Sequence, residues 1–195
     1  MFKSPRKILL YIIYGNDQIY YDGAIFSYLT FMHWVSEKDK LETVVLTQKA
    51  EKFKNYPLTV IPMSESQKKD WSLNGKYHFR IKNRGLAYVM DKLNLSNQDK
   101  VLFFDSDTYF HRNPMPLFDL IQPNQALFYL NEGEIYKRKR FNVFIEYLEG
   151  KTLRIDNETY ELSKKSVMWG SLMVGLMPNM RSSLEWSDKL LLSFV

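Results

Sequence analysis

The chain opens on an unbroken apolar, β-branched and aromatic run at residues 7–14 (KILLYIIY), which lacks the alternation of a half-exposed strand. The pattern predicts a strand buried on both faces and ended by the turn residues Gly15, Asn16 and Asp17. Over residues 22–35 the apolar positions separate: Ile25, Leu29 and Met32 recur at four and three residues, with Phe26 beside them. That spacing predicts a helix with those four residues as its apolar face. Two short β-branched runs, residues 43–47 (TVVLT) and 58–62 (LTVIP), predict two more strands. Residues 64–76 are polar and read as a connection. Residues 81–93 bring Leu86, Val89, Met90 and Leu93 onto one helical face, and residues 101–104 (VLFF) form a fourth buried strand that runs directly into Asp105, Ser106 and Asp107.

The pattern weakens beyond this point. Pro114 and Pro116 mark a turn before a short helix at residues 117–121, and residues 126–130 (ALFYL) form another strand. A hairpin is expected from residues 153–155 to residues 159–162, turning at Asp156 and Asn157. Residues 167–177 (VMWGSLMVGLM) are a strand interrupted by Gly170 and Gly175, where a larger side chain would obstruct a close backbone or ligand approach, and Pro178 closes it. Residues 182–195 read as a helix that stops on an apolar turn, the pattern of a fragment boundary or a docking helix. Alternating strands and helices predict an α/β fold with a mainly parallel central sheet flanked by helices, in a single domain over residues 1–195.

Composition narrows the classes more than it names a function. At 195 residues, 45% hydrophobic and 25% charged, the chain can bury a sizeable core, which excludes disordered and low-complexity classes. The absence of cysteine excludes a disulfide framework, a thiolate metal site and a cysteine nucleophile. It fits a reducing, cytoplasmic location, with peripheral membrane association left open. There is no apolar run of about 18 residues and no leader pattern, so no transmembrane segment and no signal peptide are expected. The net charge of +5 favours anionic ligands without choosing one. The basic run Lys137, Arg138, Lys139 and Arg140 lacks interleaved aromatics and reads as a solvated face, so nucleic acid is not an expected partner. The sequons at Asn94 and Asn157 carry little weight.

Asp105 and Asp107 are the informative pair. They stand at the carboxyl end of a parallel strand, where open α/β sheets hold their ligands. Hard carboxylate oxygens suit Mg²⁺ or Mn²⁺, and a cation held there can bridge a diphosphate and neutralise its departing charge. With 11 aspartates in the chain, chance alone gives about 0.6 pairs of this spacing, so the preceding VLFF run makes the signal.

The segment KVLFFDSDTYFHRNPMPLF (residues 100–118) resembles the acid-small-acid region of GT-A-type glycosyltransferases. Residues 14–31 (YGNDQIYYDGAIFSYLTF) are similar to the opening of family 8 members such as glycogenin, and residues 167–179 (VMWGSLMVGLMPN) resemble the later Gly-containing strand that lines the sugar and acceptor pocket. The three segments occur in the family's order. The resemblance implies a metal-dependent transfer of a hexose from a nucleotide diphosphate sugar, UDP-linked, to a glycan or lipid-linked saccharide acceptor. It implies Asp105 and Asp107 as metal and diphosphate ligands, Ser106 near the ribose, and Asn16 and Tyr20 at the base, where a Tyr face stacks well on uracil. Lys82 or Arg84 matches a basic residue that contacts the donor phosphates or sugar. The family's third metal ligand, often a His downstream of the Gly strand, has no counterpart here. The expectation is therefore a chain truncated at its C-terminus relative to the family, with a metal site incomplete or completed by water. His111, four residues beyond Asp107, reads as a surface residue. Oligomeric state, catalytic residues and stereochemical outcome are left open.

Three other readings remain. Haloacid-dehalogenase-type phosphatases share the strand and D-x-D string, but their triplet opens the chain and is followed two residues on by Thr or Val, where this chain has Tyr109. Sugar nucleotidyltransferases share the layout, but their Gly-rich phosphate loop is missing. A non-catalytic domain of the same fold fits the missing third ligand.

Overall fold

The computed structural model describes residues 4–137, 146, 150, 152–161 and 166–193. Its six-stranded sheet has the order β3-β2-β1-β4-β8-β5. Here β1 is Lys7–Ile13, β2 Leu41–Thr47, β3 Thr59–Pro62, β4 Lys100–Phe104, β5 Leu127–Glu134 and β8 Val167–Leu176. The helices are α1 (Gln18–Met32), α2 (Glu65–Trp71), α3 (Arg80–Lys92), α4 (Leu117–Leu120) and α5 (Arg181–Leu192). Strands β1 to β4 are mutually parallel, and β8 runs antiparallel between β4 and β5. The sheet is thus mainly parallel with one reversed strand, the α/β class expected. The hairpin β6 (Thr152–Ile155) and β7 (Glu158–Glu161) turns at Asp156, whose φ is +53°. Leu162, Phe194, Val195 and three of the four basic residues, Arg138, Lys139 and Arg140, lie outside the described residues.

β1 explains why its sequence does not alternate. Ile8, Leu10 and Ile12 pack on one side of the sheet with Ile81, Leu86, Val89 and Met90 of α3, while Leu9, Tyr11 and Ile13 pack on the other with Tyr21, Ala24, Tyr28 and Phe31 of α1. Period-two side chains sandwiched between two helical layers must be apolar throughout. Gly85 lets α3 lie directly on this surface, since a Cβ there would come within 2.9 Å of Ile12 Cδ1 and 3.0 Å of Leu46 Cδ2. Gly175 of β8 serves the other face, where a Cβ would meet Ile121 Cγ1 at 2.9 Å.

Several expectations shift. The apolar face of α1 is Tyr21, Ala24, Tyr28 and Phe31, whereas Phe26 and Leu29 are 58% and 49% exposed. Tyr21 can sit in that face because its hydroxyl donates to the Gly15 carbonyl at 2.7 Å, and buried Ser27 of the same helix shares a 2.9 Å hydrogen bond with Tyr11 of β1. Of the expected face, Ile25 and Met32 do pack, partly buried, at the margin of this core, so counting aliphatic residues alone finds the edge of the stripe and misses its centre. The polar connection at residues 64–76 contains α2, started by a capping box in which Ser64 Oγ accepts from Gln67 N and Gln67 Oε1 accepts from Ser64 N. β5 continues past Leu130 to Glu134, because an edge strand can carry polar side chains and still pair with β8.

Candidate active site

The chain places β1, β2 and β3 successively to one side, then returns to set β4 against the free edge of β1. Helix α1 leaves β1 on one face, and α3 precedes β4 on the other. The carboxyl ends of β1 and β4 therefore flank a topological switch point, where neighbouring loops diverge and leave a crevice. A cleft of about 540 Å³ opens there, lined by Tyr14, Gly15, Tyr20, Lys82, Asp105 and Asp107, among others.

The β1 side is pinned by local chemistry. Gly15 has φ +92°, a left-handed conformation that suits glycine. Its N–H donates to Gln48 Oε1 at 2.9 Å, and Gln48 in turn donates to Glu65. Asp17 caps α1 by accepting from Ile19 N at 3.1 Å, and the first turn of the helix brings Tyr20 to the cleft, 52% exposed. Tyr14 lies nearly parallel to His78, with 6.3 Å between ring centroids and 11° between planes. Burial pushes the Tyr14 phenol above its usual range, with the charge of Asp105 adding to the shift.

On the β4 side, Asp105 N donates to the Leu172 carbonyl of β8 at 2.9 Å, fixing where the strand ends. Lys82 Nζ donates to Asp105 Oδ2 at 2.6 Å and lies 5.6 Å from the centre of the Phe103 ring and 5.8 Å from that of Phe79. Burial pushes the Asp105 carboxyl above the usual carboxylate range; the ammonium opposes this and the charge of Asp107 adds to it. The strand end thus presents two hard oxygen donors, Asp105 held by Lys82 and Asp107 two residues on, and these could hold a divalent cation that takes its remaining ligands from a diphosphate and water. Among the described residues no group of three His, Asp or Glu side chains is placed to hold a metal.

Of the residues singled out from sequence, Tyr20, Lys82, Asp105, Ser106 and Asp107 line this one cleft. Asn16 sits in the exposed turn outside the lining, its carbonyl accepting from Lys49 Nζ at 3.4 Å. Arg84 points elsewhere, with its guanidinium 3.5 Å from Asp188 of α5. His111 is exposed and takes no part in the lining. Sequence reasoning missed Tyr14, His78 and Lys68 as lining residues. Lys68 was detectable through the capping box that opens four residues before it, at Ser64, whereas His78 reaches the cleft from a loop with no local signal. A second, more apolar cavity of about 360 Å³ adjoins across Lys82, between α3, α5 and β8, and includes Phe128, Val174 and Leu184.

No family model matches the chain, and no curated protein matches it. Among solved structures it is similar to the crystal structure of mouse xyloside xylosyltransferase 1 in its apo form, with a TM-score of 0.56 and 14% sequence identity over 94% of this chain and 71% of that one. The likeness shows a glycosyltransferase fold of the GT-A, Rossmann-like kind. It does not single out family 8.

Proposed function

We propose that this protein is a glycosyltransferase that moves a hexose from a UDP-linked sugar to a saccharide acceptor. One observation carries the reading: an aromatic face, a lysine and two adjacent carboxylates from three separate elements converge on a single cleft at the switch point. Tyr20 offers its ring to the base, and Ser106 stands between the two acids near the ribose. Asp105 and Asp107 would hold Mn²⁺ or Mg²⁺, which supplies positive charge to the leaving diphosphate when bound. Lys82 adds a second positive charge at the same place, since its ammonium already lies against Asp105. The acceptor, a glycan or lipid-linked saccharide, enters from the open side of the cleft.

Calorimetric titration of UDP, with GDP as the control and with or without Mn²⁺, tests the reading. Metal-dependent binding selective for UDP is the expected result, and Asp105→Asn and Asp107→Asn should each abolish it. Unchanged Mn²⁺-dependent affinity in both variants refutes the site. A second reading, a domain of this fold that binds the donor without turnover, is favoured by the two-carboxylate set without a third protein ligand among the described residues. Release of UDP from UDP-sugars in the presence of candidate acceptors separates the two.

A further inference from the structure

Helix α1 does more than deliver Tyr20. The segment from Ser106 to Phe110, which leaves the acid pair, lies along this helix and is gripped at successive points. Near the start of the helix a Cβ on Gly23 would lie 2.8 Å from the Ser106 carbonyl oxygen and 3.5 Å from its carbonyl carbon. Further along, the rings of Phe26 and Tyr109 pair at 6.5 Å. At the far end Phe110 N donates to Thr30 Oγ1 at 3.2 Å, its carbonyl accepts from Trp34 Nε1 at 3.2 Å, and its ring meets Phe31 edge-on at 4.8 Å.

The Gly23 contact differs in kind from the others. A separation of 2.8 Å is closer than real Cβ atoms come, and the opposing atom is backbone, which has no rotamer to change. Any side chain at position 23 must separate α1 from the Ser106 peptide by several tenths of an ångström, comparable with the roughly 0.5 Å that a binding constellation tolerates. The two acids would not move together. Asp105 is tied to β8 through its N–H and to α3 through Lys82. Asp107 follows the displaced peptide.

We propose that Gly23 is a positioning residue: its missing side chain lets α1 set the distance between Asp105 and Asp107 by direct contact with the Ser106 backbone. This rests on the donor-site reading above. The partner of this packing is the loop itself, so the effect falls first on the Ser106 peptide and the two carboxylates it joins.

The test compares Gly23→Ala with Gly85→Ala. Both replace a glycine inside a helix, and both gain the same helical propensity. At Gly85 the new Cβ meets buried core side chains, Ile12 Cδ1 and Leu46 Cδ2 at 2.9 and 3.0 Å, so this variant strains the seat of α3 on the sheet without touching the acid loop. UDP affinity is measured by calorimetry with and without Mn²⁺, alongside thermal unfolding. Gly23→Ala is expected to lose at least tenfold of the Mn²⁺-dependent affinity while the Mn²⁺-independent affinity stays within threefold, whereas any loss in Gly85→Ala is expected to fall equally with and without Mn²⁺. Wild-type metal-dependent affinity in Gly23→Ala overturns the proposal, and so does an equal loss with and without metal, which would mark general damage to the helix. Absence of Mn²⁺-dependent UDP binding in the wild-type protein overturns the donor-site reading itself, and the proposal with it. If Gly23→Ala yields no folded protein, Thr30→Val carries the test. It removes the acceptor for Phe110 N at the far end of the loop and should lower the same metal-dependent component, and full retention overturns the proposal.

Discussion

Arg80 opens α3 and is only 7% exposed, yet it carries a full charge. Its Nε and Nη2 donate to the two carboxylate oxygens of Asp188 on α5 at 2.6 and 2.9 Å, and Nη1 donates to the Asp70 carbonyl at the end of α2 at 2.8 Å. One guanidinium thereby ties three helices, two residues before Lys82 enters the cleft. Asp188→Ala removes the only carboxylate in this set and leaves the cation buried. Breaking a buried pair in this way costs about 3–5 kcal/mol. Arg84, 3.5 Å from the same carboxylate, loses this partner too but is 37% exposed and stays solvated, so the whole of that range applies. For a domain of this size the loss lowers the melting temperature by about 6–20 °C, at roughly 2–4 °C per kcal/mol. Thermal and urea unfolding measure it. The double variant Arg80→Met/Asp188→Leu should recover most of the loss, since an apolar pair of similar volume avoids desolvating either charge. A loss below about 1 kcal/mol in Asp188→Ala, or a double variant less stable than the single one, would show that the charge is not buried as described.

Further outcomes follow from the site and its surroundings. Because burial raises the Asp105 carboxyl, its contribution to stability is fully present below the unfolded-state pKa and is lost as pH rises through the folded value. Asp105→Asn should therefore gain on the wild-type protein between acid and neutral pH in unfolding assays without metal, and a pH-independent difference would contradict this. Lys82→Met removes a charged hydrogen bond from a mostly buried carboxylate and should destabilise the fold by about 1.5–3 kcal/mol, while also weakening UDP binding in Mn²⁺. Tyr20→Ala should lower UDP affinity by the worth of one base stack, about 1–3 kcal/mol, without changing the melting temperature. Ser27→Ala leaves the buried Tyr11 hydroxyl unpaired and should cost about 1–3 kcal/mol, with Tyr11→Phe/Ser27→Ala recovering much of it.

The amino-acid sequence by itself determined the strands and most of the helices, because hydrophobic periodicity is a local property. A fully apolar β1 can exist only between two layers, and the acids after β4 mark a strand end whatever the partners. The resemblance to glycosyltransferases was legible in the order of its segments, and the fold agrees with it. What remained hidden depended on which residues face one another. Both Lys82 and Arg84 are basic residues of α3, and two positions along a helix turn a side chain by about 200°, so only packing against α5 sends Arg84 to Asp188 and leaves Lys82 for Asp105. His78 and Lys68 come to the cleft from segments more than 25 residues before the acids. The direction of β8 is settled by pairing with β4, and the buried stripe of α1 by packing against Leu9, Tyr11 and Ile13 of β1 and Phe104 of β4. Each of these is a contact between residues distant in the chain, and contacts of that kind exist only once the chain has folded.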